Sequence, residues 1–166
     1  MPKKISRVRL AKKQLEEKLN VRITIQGTDA IIEGKPEDEY LAEKVLEALN
    51  IGFPFSHAIQ IKEEDLMLEI LPIKNYTKSA NLSRIRARVI GTKGKTLRTL
   101  ANLTKCFLEI NDNDVGIIGD PEYIRTAQTA IISLIRGTKT ANVYAYLEKH
   151  RPQPIIDLGL KEKPKL

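Results

Sequence analysis

The sequence has one cysteine, no tryptophan, and only five tyrosines and three phenylalanines among its 166 residues. The single cysteine, Cys106, excludes an intrachain disulfide and a cysteine-based zinc cluster, and it fits a reducing compartment. The aromatic residues show no paired strand spacing, which disfavours a stacking platform of the RRM kind. The two histidines, His57 and His150, stand too far from other candidate ligands or nucleophiles to predict a metal site, a catalytic triad or a cofactor site.

Long hydrophobic runs are also lacking. The apolar stretch at residues 130–135 is interrupted by Ser133 and is far shorter than the roughly 20 residues that a membrane span requires. The start of the chain alternates basic and apolar residues without the apolar core of a secretory signal. We therefore expect a cytoplasmic protein with no membrane association and, in the absence of a catalytic constellation, no enzymatic activity.

Acidic residues are missing from one segment in particular. Residues 79–105 contain seven basic side chains and no Asp or Glu, so this segment alone equals the net charge of +7 of the whole chain. The basic residues there are Arg84, Arg86, Arg88, Lys93, Lys95, Arg98 and Lys105. Because nothing in the segment compensates these charges, we predict a polyanionic partner rather than a solvated helix face.

An internal repeat organises the chain. At an offset of 85 residues, glycines and a proline coincide without a gap, together with several apolar positions. The marker pairs are Gly34 with Gly119, Pro36 with Pro121 and Gly52 with Gly137. Each copy is predicted to contain a helix, two strands and a second helix, which gives two small α+β units.

The second copy carries an extension. Residues 66–73 are predicted to form a strand and residues 79–90 a short basic helix, so this copy reads strand, helix, Gly-turn, helix, strand, strand, helix. In the first copy only five residues precede Ser6. That copy is either degenerate or begins upstream of Met1.

The Gly-turn contains the segment Gly91-Thr92-Lys93-Gly94-Lys95. The spacing Gly-x-x-Gly is uninformative alone, because Gly116–Gly119 shows it within a predicted strand. Here the glycines join two helices inside the acid-free segment. Glycine allows close approach to a nucleic-acid backbone, and the following helix N-terminus and lysines favour phosphate.

Two other nucleotide-related motifs are disfavoured. A P-loop also ends in Gly-Lys-Thr, but it needs a glycine where Val89 stands. Two basic helices joined by a Gly-containing turn also suggest a helix-turn-helix DNA-binding protein, although such a protein would not need the strands predicted at 66–73 and 106–118. A protein–protein adapter, whose basic segment meets an acidic surface, is a further alternative.

The placed Gly-x-x-Gly and the order of elements resemble the KH module of RNA-binding proteins. Two such units in tandem also resemble the partner-of-Nob family of small-subunit ribosome assembly factors. The resemblance covers most of residues 20–150 and rests on the segments 52–59, 65–69, 82–84, 91–96, 102–104, 127–137 and 143–147.

This resemblance implies a non-catalytic protein that binds single-stranded RNA near the 3′ end of small-subunit ribosomal RNA. The implied partners are the PIN-domain endonuclease of the Nob type, the rRNA dimethyltransferase and the α subunit of translation initiation factor two. Archaeal relatives often keep a glycine loop in both KH units, whereas Ser6-Arg7-Val8-Arg9 occupies that place here. We therefore treat the first unit as degenerate.

The resulting prediction is an α+β protein of two tandem KH-like units of type I. Residues 1–52 form the degenerate unit, 53–65 a linker helix, 66–137 the KH domain, and 138–166 a C-terminal helix with a basic, proline-containing tail. Phe107 should face away from the helices and pack against the other unit. The predicted RNA-binding residues are Arg84, Arg86, Arg88, Ile90, Gly91, Thr92, Lys93, Gly94, Lys95, Arg98 and Leu108, with Leu97 and Ile110 as further candidates for an apolar groove floor.

Overall fold

The computed structural model describes residues 2–151, with side chains from residue 6 onward. Its first half contains the long helix α1 (Pro2–Leu19), the hairpin strands β1 (Arg22–Gln26) and β2 (Asp29–Glu33), and helix α2 (Pro36–Ile51). Two short helices follow, α3 (Phe55–Ala58) and α4 (Gln60–Glu63).

The second half begins with strand β3 (Met67–Pro72) and a 3-10 turn at Ile73–Tyr76. Helix α5 (Leu82–Ile90), a tight turn at Thr92–Gly94 and helix α6 (Lys95–Thr104) come next. Strands β4 (Phe107–Asn111) and β5 (Asp114–Gly119) then lead to helices α7 (Pro121–Arg136) and α8 (Thr140–Lys149). The predicted proline-containing tail lies outside the described residues.

The structure repeats its elements at the predicted offset of 85 residues. Shifted by that amount, β1 coincides with β4, β2 begins where β5 begins, and α2 coincides with α7 at both ends. Positive φ angles recur in the same register, at Asn20 and Lys105, at Gly27 and Asp112, and at Gly52 and Gly137. The repeat is therefore present in the backbone. The assignment of the first copy as KH-like, and the domain boundaries, stay predictions.

The copies differ at their first helix. In the second copy, α5 and α6 are separated by the Gly91–Gly94 turn, whereas the equivalent residues Ser6–Arg9 lie inside the continuous helix α1. Without glycine, nothing in the first copy supplies the positive φ angles of such a turn. The first copy consequently has no loop of this kind.

The second sheet is antiparallel throughout, with the strand order β3-β5-β4. One face packs with α5, α6, α7 and α8 in a core centred on Leu100, Ile117 and Ile131. The other face packs on the first half of the chain, where Ile118 and Phe107 join a second core. This confirms the predicted orientation of Phe107.

The glycines Gly116 and Gly119, which show the same Gly-x-x-Gly spacing as the loop, have a structural role. Both lie in β5, where a side chain at Gly116 would overlap the Phe53 ring, and one at Gly119 would overlap the Cys106 sulfur. Cys106 is buried. Gly116 therefore allows the two halves to pack closely, and Gly119 allows β5 to pack on Cys106 within the second half.

The predicted start of one helix and the predicted continuity of another were wrong. Helix α5 begins at Leu82 rather than at residue 79, because the Asn81 side chain accepts a hydrogen bond from the Arg84 backbone N–H at 3.0 Å and caps the helix there. The predicted linker helix is divided into α3 and α4, with Ile59 as a turn residue between them. Its apolar side chains, including Ala58 and Ile61, are buried in the second core, so tertiary packing shapes the segment.

None of the helices within residues 2–151 combines the length and the apolar character needed to cross a bilayer.

Candidate nucleic-acid interface

The Gly91–Gly94 turn is built from positive φ angles. Gly91 has φ 74°, Lys93 has φ 52° and Gly94 has φ 73°. A side chain at Gly91 would also collide with the side chain and backbone of Thr96, which is buried at the start of α6. A side chain at Gly94 would enter open space. Glycine is thus required at position 91 by packing and by the positive φ angle, and at position 94 by the positive φ angle alone.

Helix α6 begins at this turn without a side-chain cap. Gly94 stands at the N-cap position, and the first turn of the helix has no acidic residue. Helix α7 differs, because the Asp120 carboxylate accepts the Glu122 backbone N–H at 2.9 Å. The amide groups and positive dipole end of α6 are therefore available to an anion beside the exposed Lys93 and Lys95.

Arg98, about one helical turn into α6, contacts the loop that precedes this helix. Its Nη2 donates a hydrogen bond to the backbone carbonyl of Lys93 at 2.8 Å. The side chain remains exposed, so its other N–H groups can meet a ligand that lies on the loop. Thr92 is exposed at the same place. The structure thus brings together Thr92, Lys93, Lys95 and Arg98 around the two glycines.

The positive charges of this region are not neutralised by the protein. Among residues 6–151, none of the seven basic side chains of segment 79–105 forms an ion pair, although five ion pairs occur elsewhere in that range. Their field therefore extends into solvent, where it would attract a polyanion.

The three arginines of α5 do not lie on one side of the helix. Arg86 donates to the backbone carbonyl of Asp112, in the turn between β4 and β5, at 2.8 Å. Arg88 donates to the Leu134 carbonyl near the end of α7, at 3.4 Å. The two side chains consequently leave the helix on opposite flanks.

Helical spacing assigns the other two predicted positions on α5. Ile90 follows Arg86 by four residues and shares its flank, whereas Arg84 precedes Arg88 by four and shares the α7 flank. Arg86 and Ile90 therefore lie on the flank that faces the β4–β5 turn. Arg84 and Arg88 lie away from it, so the structure separates residues that the sequence grouped. Their roles in RNA binding stay predictions.

The predicted apolar floor is partly exposed. Leu97, Leu108 and Ile110 are half-buried and pack against the core of the second half, and Ile90 is half-buried beside the loop. These side chains support the fold and still present apolar surface on α6 and β4. An apolar groove next to the loop requires side chains that are both anchored in the core and partly exposed.

Sequence reasoning missed the role of the β4–β5 turn. Asp112 has φ 53° and offers its carbonyl to Arg86, while the Asn111 side chain donates to the Asn50 carbonyl at 3.1 Å. The turn thereby links α5 to the first half of the chain. The only signal in the sequence was the coincidence of Asp112 with Gly27 in the repeat.

Two titratable side chains away from the loop, those of His57 and Cys106, have structural roles. His57 stacks on Phe107 with ring centroids 3.9 Å apart, and burial lowers the pKa of the imidazole. Burial raises the pKa of the Cys106 thiol to about 11, which leaves it protonated at neutral pH. Within the described part of the chain, no three His, Cys, Asp or Glu side chains converge as metal ligands.

Comparison with known proteins identifies the second half of the chain as a KH domain. The family model for the second KH domain of PNO1, described as a eukaryotic-type KH domain (KH-domain type I), matches residues 67–152. Among curated relatives, a KH domain-containing protein of Methanocaldococcus jannaschii is 32% identical over 149 residues, covering 84% of this chain and 65% of that protein. Pre-rRNA-processing protein PNO1 of Debaryomyces hansenii is 31% identical over 145 residues, covering 85% of this chain and 52% of that protein. The chain thus spans about half to two thirds of the length of these two relatives.

Solved structures agree with this match at 30% sequence identity. A protein of unknown function from Aeropyrum pernix has a TM-score of 0.82, covering 90% of this chain and 86% of that one. Dim2p from Pyrococcus horikoshii has a TM-score of 0.79, with coverage of 84% and 87%. The same organism's complex of a/eIF2alpha, aDim2p and rRNA gives 0.78, with coverage of 85% and 82%. The chain belongs to the PNO1/Dim2 family of KH-domain proteins.

Proposed function

We propose that the protein binds single-stranded RNA and acts in small ribosomal subunit assembly and rRNA 3′-end maturation. One observation carries the RNA-binding part. The uncapped N-terminus of α6 and the Gly91–Gly94 turn, with Thr92 and Lys93 exposed, lie within a set of basic side chains that have no acidic partner among residues 6–151. KH domains clamp about four nucleotides through such a loop.

The clamp works through backbone as well as side-chain groups. Phosphate oxygens accept hydrogen bonds from amides at the start of α6, and glycine at 91 and 94 allows the RNA backbone to approach closely. Lys93, Lys95 and Arg98 supply charge. The bases then lie on the apolar surface of Ile90 and Leu108.

The biological setting follows from the family. The Pyrococcus relative was solved in a complex that contains rRNA and a/eIF2alpha. We extend this to the present chain, with the 3′ region of small-subunit rRNA as its ligand and the initiation factor α subunit as a partner. A Nob-type PIN endonuclease and the rRNA dimethyltransferase are further proposed partners. In this scheme the protein is a non-catalytic, cytoplasmic assembly factor.

Fluorescence anisotropy tests the class of ligand. The purified protein is titrated into a short single-stranded RNA that copies the 3′ end of small-subunit rRNA, and into single-stranded and duplex DNA of matched sequence. We expect a preference for the RNA and a slope of log K against log salt of roughly −3, which corresponds to about four neutralised phosphates. Preference for duplex DNA would favour a helix-turn-helix regulator, and indifference to all three would favour a protein adapter.

A further inference from the structure

A pocket lies between the two halves of the chain, beside strand β4. It is lined by Arg7 of α1, by the end of α2 with Gly52, and by Glu109, Ile110 and Asn111 at the end of β4. Its volume is about 200 Å³, below the roughly 300–1,000 Å³ of pockets that hold drug-sized ligands. A pocket of this size suits one planar ring system, such as a nucleobase.

Two opposite charges border the pocket without forming an ion pair. The Arg7 guanidinium donates from Nη1 to the Gly52 backbone carbonyl at 2.6 Å. A methyl group on Gly52 would lie 3.6 Å from that nitrogen and 3.8 Å from the Glu109 carboxyl carbon. Among residues 6–151, the Glu109 carboxylate forms no ion pair and accepts no hydrogen bond. Glycine at position 52 therefore keeps open a space that a guanidinium and an unpartnered carboxylate both border.

The ionised form of Glu109 is unfavourable for the fold. The side chain is half-buried, and burial raises the pKa of its carboxyl, an effect that the positive charge of Arg7 offsets only in part. A ligand that donates hydrogen bonds to the carboxylate would supply the partner that the protein does not provide. A carboxyl group perturbed in this way, in a pocket, is a candidate for ligand binding.

The outer edge of β4 adds backbone groups beside the pocket. In the first half, the Ile23 N–H points away from β2, because it donates to the Glu16 carboxylate at 2.7 Å. Leu108 holds the same place in the hairpin of β4 and β5, so its N–H also points away from the paired strand, as does that of Ile110. The counterpart of Glu16 is Ala101, which has no carboxylate to close this edge.

The pocket continues the predicted RNA groove. Ile110 lines the pocket and, with Leu108, belongs to the predicted apolar floor of the groove. An RNA strand that is clamped at the Gly91–Gly94 turn and crosses this floor would reach the pocket at the edge of β4. Proteins read single-stranded RNA by hydrogen bonds to the Watson–Crick edges of its unstacked bases. The position of the pocket therefore favours an RNA base as the occupant.

We propose that this pocket binds a guanine base of the RNA, an inference that rests on the proposed RNA-binding function. Guanine carries two adjacent donors, N1–H and the N2 amino group, which match the two acceptor oxygens of the Glu109 carboxylate. Its O6 and N7 are acceptors that arginine commonly contacts, and Arg7 supplies donors for them. Adenine, cytosine and uracil each offer a carboxylate only one donor group. The pocket thus adds base selectivity to a clamp that contacts the RNA backbone.

Fluorescence anisotropy with oligonucleotides that contain a single guanine tests this proposal. Guanine is placed at each position of a short oligouridine in turn, and the guanine that binds best is then replaced by inosine or adenine. We expect guanine to bind about tenfold more tightly than adenine, with inosine, which lacks the N2 amino group, between them. Glu109→Gln should abolish this preference. The control Glu69→Gln removes the same charge from a half-buried position on β3 and should keep it.

NMR and the pattern of affinities separate the possible outcomes. In ¹⁵N-labelled protein, the amides of residues 50–52 should shift with the guanine oligonucleotide and not with oligouridine. Equal affinity for guanine and adenine at every position, or an unchanged preference in folded Glu109→Gln, would overturn the guanine pocket and leave the RNA clamp intact. Binding of none of the oligonucleotides would overturn both. Equal shifts with free guanosine monophosphate would assign the pocket to a free nucleotide and overturn its role in RNA recognition.

Discussion

Arg98 donates a hydrogen bond to the carbonyl of Lys93 across 2.8 Å, so a residue of helix α6 fixes the conformation of the turn that precedes its own helix. Lys93 has φ 52°, a conformation that is uncommon for a residue with a side chain. The contact therefore stabilises a turn that carries unfavourable backbone angles. It also holds the Arg98 guanidinium beside the loop.

The two roles of Arg98 can be separated by substitution. Arg98→Gln removes the charge, and we expect the slope of log K against log salt to become less negative by about 0.7. Arg98→Lys keeps the charge, so the slope should stay unchanged while affinity falls about threefold because the loop is held less firmly. Anisotropy titrations at several salt concentrations measure both effects. Identical slopes for the two variants would show that Arg98 does not contact phosphate.

The two loop glycines should differ in their contribution to stability. Gly94→Ala introduces only an unfavourable φ and should lower the free energy of unfolding by about 1 kcal/mol. Gly91→Ala adds a collision with Thr96, and we expect a loss of about 2 kcal/mol or more. Urea denaturation measures both values. Equal losses would mean that Gly91 does not pack on Thr96 as described.

The stack of His57 on Phe107 predicts a dependence of stability on pH. Burial lowers the pKa of His57 below its ordinary value of 6.5, so the unfolded chain binds the proton more readily than the folded one. Stability should therefore decrease as pH falls below about 6.5. His57→Phe keeps a ring against Phe107 but cannot titrate.

Thermal unfolding of this variant and of the original protein between pH 7 and pH 5 checks the sign. The original protein should lose stability relative to His57→Phe over that range. A constant difference between the two proteins would contradict the assignment.

Glu109 should act in the opposite direction. It lies half-buried on β4, and burial raises the pKa of its carboxyl above 4.5, an effect that the nearby Arg7 reduces. Protonation favours the folded state, so this contribution is present at low pH and is lost as pH rises through the raised pKa. Glu109→Gln removes the ionisation and should raise the melting temperature at pH 7. The gain should disappear near pH 4, and a variant that is less stable at pH 7 would contradict the account.

The repeat was predictable because glycine and proline mark boundaries of elements, and the pairs Gly34–Gly119 and Pro36–Pro121 keep their register. The loop was predictable for a similar reason, since Gly91 and Gly94 supply backbone angles that other residues avoid. Helical spacing also places Arg86 on the opposite side of α5 from Arg84 and Arg88. What each side of the helix contacts, the β4–β5 turn or α7, was not predictable, because it depends on how the apolar side of α5 packs on the core.

Other features depend on contacts between distant segments. The bond from Arg86 to Asp112 spans 26 residues, and local pattern does not encode it. The division of segment 53–65 into two short helices results from burial of its apolar residues among α1 and α2. The missing loop of the first copy, by contrast, was predictable, because Ser6–Arg9 contains no glycine, and α1 is continuous there.

The central claim is that the loop itself clamps RNA, and a matched pair of charge reversals tests it most directly. The double variant Thr92→Asp/Lys93→Asp places two negative charges on exposed loop positions. The control Thr138→Asp/Lys139→Asp makes the same chemical change at an exposed Thr-Lys pair before α8, outside the acid-free segment. Both variants have the same net charge, so general electrostatic attraction is altered equally.

RNA affinity of the two variants is measured by anisotropy, with thermal unfolding as the check on folding. The account predicts that the loop variant loses at least tenfold more affinity than the control while both remain folded. Equal affinity of the two folded variants would show that RNA responds only to total charge, and the loop would not be the clamp.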